Sequence, residues 1–159
     1  MGAQIALVRI DDRLIHGQVV TAWIREVPMD LIVIVDDAVA RDQFMQRVLR
    51  STAPAGSIAK AMSVADTVSF INDPANDGCR MMLISKGPEA IEELLDNGVA
   101  IDSVILGGMG IRAGRRRLNR NVYASEAEIE VMRRLVQRGT SVGYRLVPQE
   151  SYVPLEDLV

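Results

Sequence analysis

The chain of 159 residues predicts an α/β protein: a three-layer α/β/α sandwich with a mainly parallel open sheet. Three observations carry that prediction. Short apolar runs alternate with amphipathic ones along the first two thirds of the chain, helix punctuation falls between them, and no repeat or low-complexity linker interrupts the order. Strand, helix and parallel strand joined in this way cross over right-handed, which covers both faces of the sheet with helices.

Taken in order, strands are expected at 4–10 (QIALVRI), 31–35 (LIVIV), 58–62 (IAKAM), 80–84 (RMMLI) and 102–106 (DSVIL), with a last one near 141–147 that stops at Pro148. Helical spacing occupies 17–26, 39–50, 64–72 and 88–97. Ser63 suits the N-cap of the third helix, Pro88 the first turn of the fourth, and Gly98 the left-handed position that ends it. Ser125 and Glu128 have the spacing of a capping box for a fifth helix ending before Gly139.

Composition narrows the function. A net charge of -3 gives no global attraction to nucleic acid or to an anionic surface. The single cysteine, Cys79, excludes an internal disulfide and, with the single histidine, leaves no thiolate or imidazole cluster for zinc. Cys79 is read as a small apolar filler at the start of a strand. No apolar run approaches the 18 residues or more of a spanning helix, and no signal-like segment opens the chain, so a cytoplasmic single domain over 1–159 is expected.

In an open parallel sheet the ligand site lies beyond the carboxyl ends of the strands. That rim collects Asp11 to Gly17, Asp36 and Asp37, Ser85 and Lys86, and Gly107 and Gly108. The lone histidine, His16, lies there on a strand-to-helix turn in RIDDRLIHGQV. Imidazole is a nucleophile near pH 7 because its reference pKa is about 6.5. Gly17 permits close backbone approach, and the amides around Gln18 and Val19 open a helix whose positive end faces an anion. Arg13 and Arg9 offer planar forks that match phosphate oxygens, and Asp11 or Asp12 could accept the other imidazole N–H. Together these parts describe a phosphoryl-accepting histidine; arginines and aspartates that merely pair on a solvated turn are the bland alternative.

RIDDRLIHGQVVTAW resembles the phosphorylation-site signature of the IIB components of the mannose/fructose/sorbose family of bacterial phosphotransferase systems. The likeness continues through IVIVDDAVARD, SKGPEAIEELLDNG, LGGMGIRAG and VPQES, nearly the whole chain. The resemblance implies a phosphocarrier that accepts a phosphoryl group on Nδ1 of His16 from a IIA domain. It then passes the group to a sugar held by the membrane components IIC and IID, so the protein would associate with the membrane through those partners. It places Arg13 and Asp11 at matching active-site positions and Arg9, Gly17 and Gln18 within the same motif. No cofactor, metal or nucleic acid is implied.

Other features have plainer readings. GGMGIRAG, 107–114, has neither dinucleotide nor P-loop spacing and is expected to be a flexible loop along the rim. Asp36 and Asp37 are expected to cap the second helix and shape the site rather than hold a cation. Five arginines between 112 and 120 (Arg112, Arg115, Arg116, Arg117, Arg120) stand without an acid among them, a solvated face by default or a docking surface for an acidic partner. A receiver-like domain phosphorylated on an aspartate is the alternative function, although its acids would have to gather around a metal. A non-catalytic small-ligand module would leave His16 without a purpose.

Overall fold

A computed structural model describes residues 2–159 and shows a seven-stranded sheet in the order β3-β2-β4-β1-β5-β8-β9, parallel except for the last pair. The strands are β1 (Gln4–Asp11), β2 (Leu31–Val35), β3 (Ile58–Met62), β4 (Arg80–Ser85), β5 (Ser103–Gly108), β8 (Ser141–Tyr144) and β9 (Val153–Pro154); β6 (Arg116–Arg117) and β7 (Tyr123–Ala124) form a separate antiparallel ribbon. The helices are α1 (Gly17–Glu26), the short α2 (Asp37–Ala40), α3 (Gln43–Thr52), α4 (Val64–Asn72), α5 (Glu89–Asp96) and α6 (Glu126–Gln137).

Strand alternation sorts the core into two layers. Ile32, Ile34, Ala59, Ala61 and Ile84 face α1 and α3, meeting Val19, Val20, Trp23 and Leu49. Val33, Val35, Leu83, Val104 and Leu106 face α4, α5 and α6, meeting Ile91, Leu94, Ile129, Met132 and Leu135. The connections from β1 and β2 therefore run on one face and those from β3, β4 and β5 on the other, as right-handed crossovers require once β1 lies inside the sheet. Neighbouring strands that send their connections to opposite faces, β1 to one and β4 and β5 to the other, open a crevice at the carboxyl end of β1.

Local chemistry explains the boundaries. Ser63 caps α4, Gly98 and Gly139 take the left-handed backbone after α5 and α6, and Ser125 with Glu128 completes the capping box. The helix expected over 39–50 is two: Arg41 ends α2 and the Asp42 carboxylate, accepting from the Met45 amide, starts α3 afresh. Pro88 stands one place earlier than expected, at the N-cap of α5 rather than inside its first turn. The last long strand ends at Tyr144 and not near 147, because Arg145 and Leu146 turn their carbonyls to the Arg9 guanidinium and the Trp23 indole N–H. The free edge of β3 is blocked by Gln46, whose amide donates to the Ala61 carbonyl at 2.9 Å and accepts from the Ala61 N–H at 2.8 Å, as a neighbouring strand would. Among the described residues no helix is long and apolar enough to cross a membrane.

Candidate functional site

β1 ends on Asp11, fully buried at the centre of the rim. Its carboxylate accepts from Arg13 twice, Nε to Oδ1 at 2.9 Å and Nη2 to Oδ2 at 3.0 Å, from the Arg13 amide at 3.1 Å, and from Nη2 of Arg9 at 3.2 Å. One carboxylate thus organises both guanidiniums. The two arginines differ in what remains free. Arg9 is 1% exposed and also donates to the carbonyls of Arg145 and Leu146, so it lies beneath the turn as internal structure. The Arg13 side chain is 39% exposed and keeps one face of its fork toward solvent. Burial lowers the Arg9 pKa against the opposing pull of Asp11, whereas the hydrogen bond to Asp11 raises that of Arg13. Both remain cations.

Glycine makes room for this pair. A Cβ on Gly107 would lie 2.0 Å from Nη2 and 2.2 Å from Cζ of Arg9, and one on Gly108 would lie 2.9 Å from Nη2 of Arg13. The glycine pair that ends β5 is thus a bed for two guanidiniums rather than a nucleotide loop.

Past Asp11 the chain turns sharply. The Leu14 amide closes on the Asp11 carbonyl at 3.0 Å with Leu14 at φ +61°, a left-handed conformation rarely taken by a branched residue. The strain persists because the Leu14 side chain is anchored in the α1/α3 core. The turn delivers His16, exposed and extended, to the N-cap of α1. The first helical hydrogen bond runs from the Val20 amide to the His16 carbonyl, so the amides of Gly17, Gln18 and Val19 have no acceptor within the helix. Among the described residues no side chain caps them, and the first turn of α1 carries no acid. An exposed imidazole, free amides on the positive end of a helix and a half-exposed arginine fork thus converge on one turn, an arrangement suited to hold an anion beside a nucleophile.

Neither aspartate orients the imidazole as expected. Both Asp11 oxygens are held by arginine, and Asp12 Oδ2 accepts from the Gly110 amide at 2.7 Å and from Nη1 of Arg115 at 3.4 Å. Asp36 caps α2 and lies 3.7 Å from Lys86, Asp37 accepts from the Val64 amide at 2.9 Å, and Ser85 donates to the Gly87 carbonyl; all belong to the rim's architecture. Among the described residues no three acids, histidines or cysteines gather as a metal site would require.

The 107–114 run is pinned rather than flexible. The Arg115 side chain is 5% exposed and grips the two Glu128 oxygens at 2.9 and 2.7 Å, the Gly110 carbonyl at 2.9 Å and Asp12. This corrects the reading of the arginine run as a uniform solvated or docking face, since its second member is the internal tie between the His16 turn and the start of α6. Burial pushes the Glu128 carboxyl up, but the Arg115 fork and the Ser125 amide outweigh it and hold the group below the ordinary carboxylate range. The network could not be found from local spacing because its partners lie as much as 103 residues apart. Cys79 lies half-buried against the α4/α5 side of the core just before β4, where burial pushes its thiol pKa up.

The profile described as the sorbose-subfamily IIB component of the phosphotransferase system matches residues 5–159. The chain is 39% identical over 155 residues to the mannose-specific EIIAB component of Escherichia coli K12, covering 98% of this chain and 48% of that protein, so it spans about half the length of that relative. It is 34% identical over 147 residues to the fructose-specific EIIB component of Bacillus subtilis, 92% and 90% of the two chains. The IIBSor domain of the sorbose permease from Klebsiella pneumoniae superposes with a TM-score of 0.93 at 31% identity over 97% and 95% of the two chains.

Proposed function

This chain belongs to the IIB components of the sorbose subfamily of the sugar-transporting phosphotransferase system, and we propose that His16 is its phosphoryl acceptor. The observation that carries the reading is the convergence, at one exposed histidine, of the uncapped α1 amides and the Asp11-held fork of Arg13. Nδ1 of His16 attacks the phosphorus of a donor phosphohistidine. The new N–P bond forms as the donor's N–P bond breaks, and the donor imidazole leaves with the electron pair. Arg13 and the amides of Gly17, Gln18 and Val19 neutralise the equatorial oxygens as charge spreads over them. A sugar hydroxyl then attacks the same phosphorus, its O–P bond forming as the His16 N–P bond breaks, and its proton passes to the departing imidazole, which ends neutral.

Asp11 and Arg9 act one step removed. Asp11 fixes the Arg13 fork, and Arg9 keeps the Asp11 carboxylate compensated and tied to the segment after β8. The donor is a IIA domain and the acceptor a sugar presented by the membrane components IIC and IID, which bring this domain to the inner face of the membrane. Relatives specific for mannose, fructose, sorbose and N-acetylgalactosamine support a sugar of that class as the acceptor. Since each partner must approach one phosphorus at one turn, the two compete for this rim. The receiver-like alternative finds no support, because Asp36 and Asp37 are occupied with helix and backbone amides.

The test is incubation with phosphoenolpyruvate, the general phosphotransfer proteins and a IIA domain, followed by mapping of the label. Label is expected on His16, lost rapidly in acid and retained in alkali, and absent from His16→Gln. Label that persists in His16→Gln, or that is lost in alkali as an acyl phosphate would be, refutes the assignment.

A further inference from the structure

Between β5 and β6 the chain raises five consecutive exposed residues, Gly110 to Gly114, beside the His16 turn. Ile111, at 77%, is the most exposed of the large apolar side chains among the described residues. One exposed isoleucine is by itself ordinary. Here three further facts attach to it. The tip is held in shape, since the Arg115 amide closes on the Arg112 carbonyl, Gly114 takes φ +84°, and the Arg115 guanidinium holds the Gly110 carbonyl from beneath. It is tied to the acceptor turn through the Gly110 amide and Asp12 at 2.7 Å. Two cations of the arginine run keep their charge uncompensated: Arg115, Arg116 and Arg120 have carboxylate partners, whereas Arg112 and Arg117 make no ion pair among the described residues, Arg117 donating only to the Asn119 carbonyl.

We infer that the 110–114 tip is the docking knob for the phosphodonor: Ile111 seats in an apolar socket on the donor domain while Arg112 and Arg117 meet an acidic rim around it. The inference rests on the reading of His16 as acceptor. A rigid apolar side chain with a cationic collar suits a partner that must be captured, aligned and released in every cycle. The collar speeds encounter and responds to salt, the apolar anchor sets lifetime, and the pinned backbone spares the ordering cost of a mobile loop. Through Asp12 the knob is in fixed register with the turn that carries His16, so seating it aligns the donor phosphorus with the imidazole.

The experiment measures the initial rate of label transfer to His16 against the concentration of a phosphorylated IIA domain at low and high salt. It uses the wild type, Ile111→Asp, Ile111→Leu and Arg112→Glu, with direct phosphorylation by phosphoramidate run in parallel. Ile111→Asp is expected to raise the KM for the donor about tenfold or more, as loss of a buried apolar anchor does, with the saturating rate and the phosphoramidate rate unchanged; Ile111→Leu should resemble wild type. Arg112→Glu should lower kcat/KM and flatten its salt dependence. Unchanged donor KM in both Ile111→Asp and Arg112→Glu overturns the inference. So does a defect confined to onward transfer in vesicles bearing the membrane components, which would give the knob to the acceptor. If the wild type takes no label on His16 from either source, the proposed function fails first.

Discussion

Substituting Gly107 by alanine tests the architecture beneath the acceptor turn. The added methyl would lie 2.0 Å from Nη2, 2.2 Å from Cζ and 2.6 Å from Nε of Arg9. An exposed arginine would swing aside from such a clash. This one is 1% exposed and donates to Asp11 at 3.2 Å and to the Leu146 and Arg145 carbonyls at 3.1 and 3.3 Å, so any retreat strands a buried cation and takes a donor from three acceptors, of which Asp11 keeps Arg13 and Leu146 keeps Trp23. Breaking a buried charge pair on one side costs about 3–5 kcal/mol. In a chain of this size each kcal/mol shifts Tm by about 2–4 °C, so a fall of about 6–20 °C is expected by calorimetry or denaturant melts. Because Asp11 also positions Arg13, transfer to His16 should slow at temperatures where the variant is folded. A double-mutant cycle isolates the cause: an Arg9→Met background lacks Nη2 and Cζ, the two closest atoms, and its uncharged, flexible end can give way, so Gly107→Ala should cost at least about 2 kcal/mol less than in wild type. A Tm change below about 3 °C, or strict additivity with Arg9→Met, would refute the packing argument.

Arg13→Lys keeps the charge but loses the two-point grip on Asp11, and single-turnover transfer to His16 should slow about ten- to a thousandfold with the fold intact; a wild-type rate would leave charge neutralisation to the α1 amides. Arg115→Ala opens the tie among Asp12, Gly110 and Glu128 and should lower Tm by at least about 5 °C, whereas Arg117→Ala, exposed and without an ion pair, should shift it by less than about 2 °C; thermal melts of the two singles decide it. Glu128 is held below the ordinary carboxylate range, so its contribution is complete above its unfolded-state value of about 4.3 and is lost as pH falls through the lower folded value. In melts between about pH 5 and pH 3, Glu128→Gln should start less stable and lose less with acid than wild type. Parallel pH curves would remove the carboxylate from the acid response.

Much of this protein is written in local pattern. The run LIVIV, and MMLI after the exposed Arg80, are continuously apolar because their strands are covered on both faces, and 17–26 and 64–72 emerge as α1 and α4 because their apolar spacing and their termini agree. Strand and helix alternation decides the parallel sheet, the sheet decides which loops share a rim, and so His16, Arg13, Asp11, Gly17 and Gln18 could be placed together from sequence. What local pattern could not decide is which polar groups are consumed internally. Arg9 and Arg13 are equal candidates in the motif, yet one lies under Gly107 at 1% exposure and the other stands half in solvent, because Arg9 lies within β1, between β4 and β5, whereas Arg13 lies past the end of β1 on the turn. Arg115 and Arg117 read alike in a run of like charges, but only Arg115 meets Glu128 and Asp12, partners brought to it from distant sequence by α6 and β1. Asp42 splitting one helical pattern into two, and Arg145 and Leu146 leaving the sheet to satisfy Arg9 and Trp23, follow the same logic. Periodicity is a property of neighbours along the chain, whereas the partner of a buried charge is settled only when the tertiary fold removes water from around it.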